Sequence, residues 1–252
     1  MTRTAPILVV GAGLAGLSAA AELSRHGVDT LVVDKSRAVG GRMSSRTIGA
    51  ARFDQGAQHV GARHPAFQDQ MARWVETGVA REWFESTGPT GTSEPRFVGV
   101  GGLRSIPEHL AAGLDVRTGV TLTAVGRSPA GIVATTDDGQ AIEASGVILT
   151  PPLPQLLALV DAGALALPAE LRPRLEGVRY HACLAVMARL DGPSGLPDGH
   201  RSLADGPIAW LGDNQHKGTS ATPAVTIHSS AAFAAEHIDG DPEEWPGGLC
   251  AA

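Results

Sequence analysis

Ile7-Leu8-Val9-Val10-Gly11-Ala12-Gly13-Leu14-Ala15-Gly16 decides how this chain folds. A strand-like run of apolar residues enters a GxGxxG turn, and residues 17–25 continue with helical spacing. A second apolar run, Thr30-Leu31-Val32-Val33, ends at Asp34. Three glycines alone are a weak pattern, but strand, turn, helix and strand in this order make a dinucleotide site. Gly11 permits the tight turn, Gly13 lets the backbone approach a pyrophosphate, and Gly16 lets helix and sheet pack closely. The loop residues Ala12, Leu14 and Ala15 lie between them, where free N–H groups and the positive end of the helix dipole favour phosphate. Asp34 stands at the spacing of an acid that accepts hydrogen bonds from both ribose hydroxyls, and its charge repels a 2′-phosphate. An adenine dinucleotide other than NADP is the expected ligand.

The 252 residues allow one large domain or two small ones, and 43% hydrophobic with 18% charged residues is a globular composition. A net charge of −6 argues against nucleic acid as a partner. Lys35 and Lys217 are the only lysines, and the arginines are scattered rather than clustered. Cys183 and Cys250 are too few and too far apart for a disulfide framework or a metal site, which points to a reducing cytoplasm. The apolar stretch 7–23 could pass for a signal sequence. Its glycines at dinucleotide spacing fit a buried strand–helix unit better, so neither secretion nor a membrane partner is expected.

Further along, the spacing of Phe67, Met71, Trp74 and Val75 predicts a helix from Pro65, and Gly27 is placed to end the first helix. Residues 88–94 read as a polar loop before a strand at 97–100. Ser105-Ile106-Pro107-Glu108 has the form of a capping box opening a helix to about Ala112. Strands are expected at 115–117, 120–125 and 146–149, with a hairpin of 131–136 and 140–143 around Asp137-Asp138-Gly139. Alternation over 178–190 predicts one long half-exposed strand, and 191–207 reads as loop. Asp213-Asn214 reads as a turn.

Val39-Gly40-Gly41-Arg42-Met43 follows Asp34 closely. Two glycines and an arginine supply N–H donors and a charged fork for a pyrophosphate. At these residues the chain resembles the amine-oxidase/glutathione-reductase-type flavoproteins, and within them the renalase-like group. The likeness is carried by Asp34-Lys35 through Met43, Phe53-Asp54-x-Gly56-Ala57-Gln58, Phe97-Val98-x-x-Gly101-Gly102-Leu103 and Leu149-Thr150-Pro151-Pro152-x-Pro154-Gln155. Leu175-Glu176-x-Val178-x-Tyr180, Asp213-Asn214-x-x-Lys217-Gly218 and Ile227-His228 add to it. The resemblance implies FAD as cofactor, with Gly11, Gly13 and Gly16 facing the pyrophosphate, Asp34 on the adenosine ribose and Lys35 among the cofactor-binding residues. It places Gly41, Arg42 and Met43 along the pyrophosphate and ribityl side, and Gly56, Ala57 and Gln58 near the isoalloxazine. Val120 matches a residue whose backbone meets the adenine, although an ordinary core valine explains it equally well.

The implied fold is α/β: a Rossmann-like FAD-binding domain with a parallel sheet, helices and a β-hairpin crossover, plus an inserted α+β substrate domain with an antiparallel sheet. Residues 1–64 and 96–152 are expected to form the first, and 65–95 and 153–252 the second. The family continues for several tens of residues past the point matching Ala252, so a C-terminally truncated member with one flank of the flavin open is expected. Residues 247–252 read as a frameshift or an arbitrary end.

The implied activity is oxidation of a small molecule, an abnormal dihydronicotinamide isomer of NAD(P)H, with oxygen as acceptor. The alternatives are an amine oxidase, a flavin-free nicotinamide dehydrogenase, and a non-catalytic dinucleotide-binding remnant. His59 is the one candidate catalytic side chain, although a satisfied structural histidine is the first account of it. The same holds for His181 and His228 in their strand patterns. No metal site is expected.

Overall fold

Alternation along the strand Ile7–Val10 sorts its side chains onto two faces, and both faces are buried. The computed structural model describes residues 5–87, 91–129, 131–241 and 245–250. By its contacts the chain forms two compact units, each discontinuous: Met1–Gly41 with Pro107–Arg179, and Arg42–Ile106 with Tyr180–Ala252. Residues 42–64 and 96–106 therefore group with the second unit, and 153–179 with the first. Local packing explains both assignments. The strand Ala51–Asp54 lies against the strand Ala224–Ser229, with Ala51, Phe53 and Ala224 in one cluster. The helix Leu153–Ala162 lies against the strand Leu122–Ser128.

In the first unit a parallel sheet has the order Gly146–Leu149, Ile7–Val10, Thr30–Asp34, Val116–Thr118. Ile7 stands opposite both Thr30 and Gly146. Leu8, Val10, Leu31 and Val33 face Val125, Ile132, Ala134 and Ala144 of a three-stranded antiparallel sheet, Leu122–Ser128, Gly131–Thr136 and Ala141–Ala144. Val9 and Val32 face the other way, onto Leu17 and Ala20 of the helix Leu14–Arg25. Each such fully buried side chain contributes about 1.5–3 kcal/mol. The helix stops where Gly27 takes φ +72°. The expected hairpin and crossover sheet are present. Val120 is not at the head of a strand, since pairing begins only at Leu122.

The second unit pairs Ser45–Ile48 with Ala51–Asp54 as a hairpin. It also holds a three-stranded sheet of Val60–Gly61, Ser93–Gly99 and Ala80–Thr87. Its largest sheet is antiparallel, in the order Ala185–Arg189, Ala224–Ser229, Ile208–Asp213, His200–Ser202. The helix Pro65–Glu76 begins at the proline, as its sequence predicts.

Four expectations are corrected. The strand expected over 178–190 is confined to Ala185–Arg189, because its neighbour in the sheet, Ala224–Ser229, is six residues long and the ladder between them runs only from Ala185 opposite His228 to Arg189 opposite Ala224. His181 is consequently in no strand. The loop expected over 191–207 contains the strand His200–Ser202. Ser105 is the first residue of its helix rather than the cap, and its hydroxyl donates to the Val79 carbonyl at 3.4 Å. Of the polar loop expected at 88–94, residues 88–90 lie outside the described residues, and Ser93 and Glu94 belong to a strand.

Candidate cofactor site and its polar surroundings

The glycine-rich turn of the first unit has two crowded positions and one open one. Gly11 takes φ +107°, and a Cβ there would lie 2.4 Å from Thr150 Oγ1. That hydroxyl donates to the Val10 carbonyl at 2.8 Å, tying the ends of two neighbouring strands together. A Cβ on Gly16 would lie 2.0 Å from the Gly11 carbonyl oxygen, so only glycine lets the helix come this close. A Cβ on Gly13 would have no heavy atom within 4 Å. Gly13 is also the N-cap of the helix and provides no side chain to its first N–H groups. Open space at the positive end of a helix dipole, with no side chain capping the first turn, is what a pyrophosphate needs.

The neighbouring groups complete that arrangement. Gly40 and Gly41 both have positive φ, and the Gly40 N–H donates to the Ala12 carbonyl at 2.9 Å. A Cβ on Gly41 would come 3.4 Å from Gly13 Cα, so the second glycine pair packs onto the first turn. Asp34 accepts from the Ala12 N–H through Oδ2 and from the Ser36 N–H through Oδ1, each at 2.7 Å. One lone pair remains on each oxygen for a ribose diol. The Val120 N–H donates to the Asp34 carbonyl at 2.9 Å, which puts this residue beside the acid. Lys35 points elsewhere, to Gln155 Oε1 at 3.3 Å. These residues fit the adenosine diphosphate half of FAD.

In the second unit the segments 42–43 and 56–58 are locked together. The Ala57 N–H donates to the Arg42 carbonyl at 2.8 Å, and a Cβ on Gly56 would lie 2.2 Å from that same oxygen. Met43 is buried, while the Arg42 side chain is exposed. Gln58 is buried; its Nε2 donates to the carbonyls of Asp54 at 2.5 Å and Gly56 at 3.1 Å.

Beneath this segment lies a polar core that the sequence did not disclose. Asp54 is fully buried and accepts from Ser45 Oγ at 2.6 Å, the Leu103 N–H at 2.9 Å and Thr219 Oγ1 at 3.0 Å. Lys217, equally buried, places Nζ 3.1 Å from Asp54 Oδ2. Asn214 is more than a turn residue: its Oδ1 accepts from the Asp54 N–H at 3.0 Å and its Nδ2 donates to Thr226 Oγ1 at 2.9 Å. Burial pulls the Lys217 pKa below its ordinary value, against the opposing pull of the Asp54 carboxylate. The stretches that hold Asp54 and Lys217 carry the family resemblance, but nothing in the sequence joins the two residues.

His59 is not a satisfied structural histidine. Its Nδ1 is buried with no partner among the described residues, as is Trp210 Nε1. The ring stands edge-on to Phe84 at 5.4 Å and tilted to Trp210 at 5.3 Å, with His200 stacked on Phe84 at 3.7 Å. Burial, then the charges of Arg96 and Lys217, lower its pKa from 6.5 to about 4, so the imidazole is neutral. His228 has a partner, since its Nε2 lies 3.1 Å from the Gln55 carbonyl; its pKa is also lowered, chiefly by burial. Among the described residues no group of three or more His, Cys, Asp or Glu side chains is placed to hold a metal, and no helix is long and apolar enough to cross a membrane.

Comparison with known proteins agrees with this chemistry. Residues 9–74 match a family described as NAD(P)-binding Rossmann-like domain, and residues 82–240 match the one described as flavin containing amine oxidoreductase. The chain belongs to the flavin-containing amine oxidoreductase family. It is a renalase-like, FAD-dependent oxidoreductase. Mouse (Mus musculus) renalase is 26% identical over 92% of this flavoenzyme and 74% of the relative. A putative flavin-containing monoamine oxidase of Mycobacterium tuberculosis is 40% identical over 30% of this chain and 16% of its own length. Among solved structures, wild-type putrescine oxidase bound to putrescine superimposes with a TM-score of 0.72 at 17% identity, covering 95% of this flavoenzyme and 78% of that chain. A fatty acid isomerase from P. acnes gives 0.66 at 14% identity, covering 91% and 77%. At such identities these two likenesses concern the fold.

Proposed function

We propose that this flavoenzyme oxidises dihydronicotinamide isomers of NAD(P)H, with oxygen as the final acceptor. In this reading Gly11 to Gly16, Asp34, Gly41 and Val120 hold the adenosine diphosphate half of FAD. Arg42 and Met43 lie along the ribityl side, and Gly56, Ala57 and Gln58 meet the isoalloxazine. FAD held by these residues would supply the redox chemistry, a two-electron oxidation of the donor with both electrons returned to oxygen as hydrogen peroxide. The protein's part is to orient the donor, exclude water and present fixed dipoles.

One observation carries the choice of donor: neutral His59 with its unpartnered Nδ1, set among Phe84 and Trp210. An aromatic wall suits a flat dihydropyridine ring, and the buried, unpartnered imidazole nitrogen is a hydrogen-bonding group that a carboxamide would satisfy. Family membership favours an amine as the second reading. Anaerobic mixing of the FAD-loaded protein with each donor separates the two. Rapid bleaching of the flavin band by 2- or 6-dihydronicotinamide isomers, with none by putrescine or aromatic amines, is expected; the reverse pattern overturns the proposal. Action in a reducing compartment is supported by Cys183, which stands as a free thiol.

A further inference from the structure

The ion pair of Asp54 and Lys217 has no exposed surface, and no step of the proposed chemistry uses it. Buried pairs of this kind are poor stabilisers: an apolar pair of similar volume serves a fold equally well or better. The hydrogen bonds of this pair are therefore informative. Asp54 already holds three other donors, so its carboxylate is saturated and anchors the ammonium. The ammonium then reaches outward to a single residue. Lys217 Nζ donates to Gln58 Oε1 at 3.0 Å and lies 3.5 Å from the Gln58 carbonyl oxygen. The other end of the Gln58 amide donates to the carbonyls of Asp54 and Gly56. A flipped amide would set an NH₂ group against an ammonium, so only one orientation is allowed. An arginine fork could not send its donors in these diverging directions. The 5.3 Å approach of Nζ to the Trp83 ring closes the remaining side.

We propose that Lys217, anchored by Asp54, is a positioning residue whose ammonium clamps Gln58 and so fixes the 56–58 segment in one geometry toward the flavin. The inference rests on the reading that Gly56, Ala57 and Gln58 meet the isoalloxazine. Its test compares four FAD-loaded proteins: the parent, Gln58→Ala, Asp54→Asn/Lys217→Met, and the three substitutions combined. The doubly substituted protein removes both charges and avoids stranding one of them. The readouts are the FAD dissociation constant, the visible circular dichroism of the bound flavin, and the thermal midpoint without FAD.

The charge-free variant should stay folded, bind FAD ~10-fold more weakly and lose much of the dichroic band. Gln58→Ala should do the same, and the combined protein should be no worse than Gln58→Ala, as for residues acting through one another. Full addition of the two effects overturns the inference while leaving the flavin reading intact. No effect of Gln58→Ala on either flavin readout removes the flavin reading, and the inference with it. Unfolding of the charge-free variant overturns the inference as well, since the pair would then hold the core together rather than one glutamine.

Discussion

Asp34 divides its carboxylate between the protein and the cofactor. Each oxygen already receives one backbone N–H, from Ala12 and from Ser36, and keeps one lone pair for the ribose. Asp34→Ala should weaken FAD retention by about 1–3 kcal/mol, the range for a lost charged hydrogen bond. It should also lower the thermal midpoint of the FAD-free protein, because two amides lose their acceptor. Flavin occupancy across a dilution series checks the first effect; equal occupancy in mutant and parent would show that the carboxylate serves the fold alone. The residues legible in advance were those whose chemistry depends on near neighbours: Gly11, Gly13, Gly16 and Asp34 lie in one short stretch. Lys217 and Gln58 lie 159 positions apart, and no period or motif links an ammonium to an amide over that distance. The open nitrogen of His59 was hidden for the same reason, since Phe84 and Trp210 come from other strands.

Among elements, the helix Leu14–Arg25 packs against its sheet through glycines with opposite duties. Gly16→Ala forces a methyl group onto the Gly11 carbonyl and should destabilise the protein by about 1–3 kcal/mol or more, with or without FAD. Gly13→Ala meets only open space, so the FAD-free midpoint should move by less than about 1 kcal/mol, the scale of an N-cap change. FAD affinity should nevertheless fall by about 10-fold or more, because the methyl group stands where the pyrophosphate approaches. Thermal melts with and without FAD separate the two; equal behaviour of the variants would refute the division. Elements with local partners were legible, as the hairpin Gly131–Thr136 and Ala141–Ala144 shows. The strand Ala185–Arg189 is shorter than its alternation predicts because its length is set by Ala224–Ser229, far along the chain, and alternation carries no record of a partner's length.

For the molecule as a whole, burial lowers the pKa of two histidines of the second unit, His59 and His228. For His59, the unfolded chain takes up a proton near pH 6.5 that the folded form refuses until about 4. Its contribution to stability is therefore complete above pH 6.5 and is lost as the pH falls toward 4. His228 acts in the same direction. Thermal melts over this range should show a falling midpoint, and His59→Gln should make the fall shallower; an unchanged slope would show that His59 is not excluded from protonation. A different consequence follows from the sheet order, in which Ile7–Val10 lies between Thr30–Asp34 and Gly146–Leu149. Val10 and Thr150, joined by a hydrogen bond, are 140 positions apart. A ribosome adding about 5–20 residues per second needs roughly 7 to 30 s to cover that distance. Throughout that interval the newborn chain carries an apolar strand with one open edge, a natural place for a chaperone to hold it.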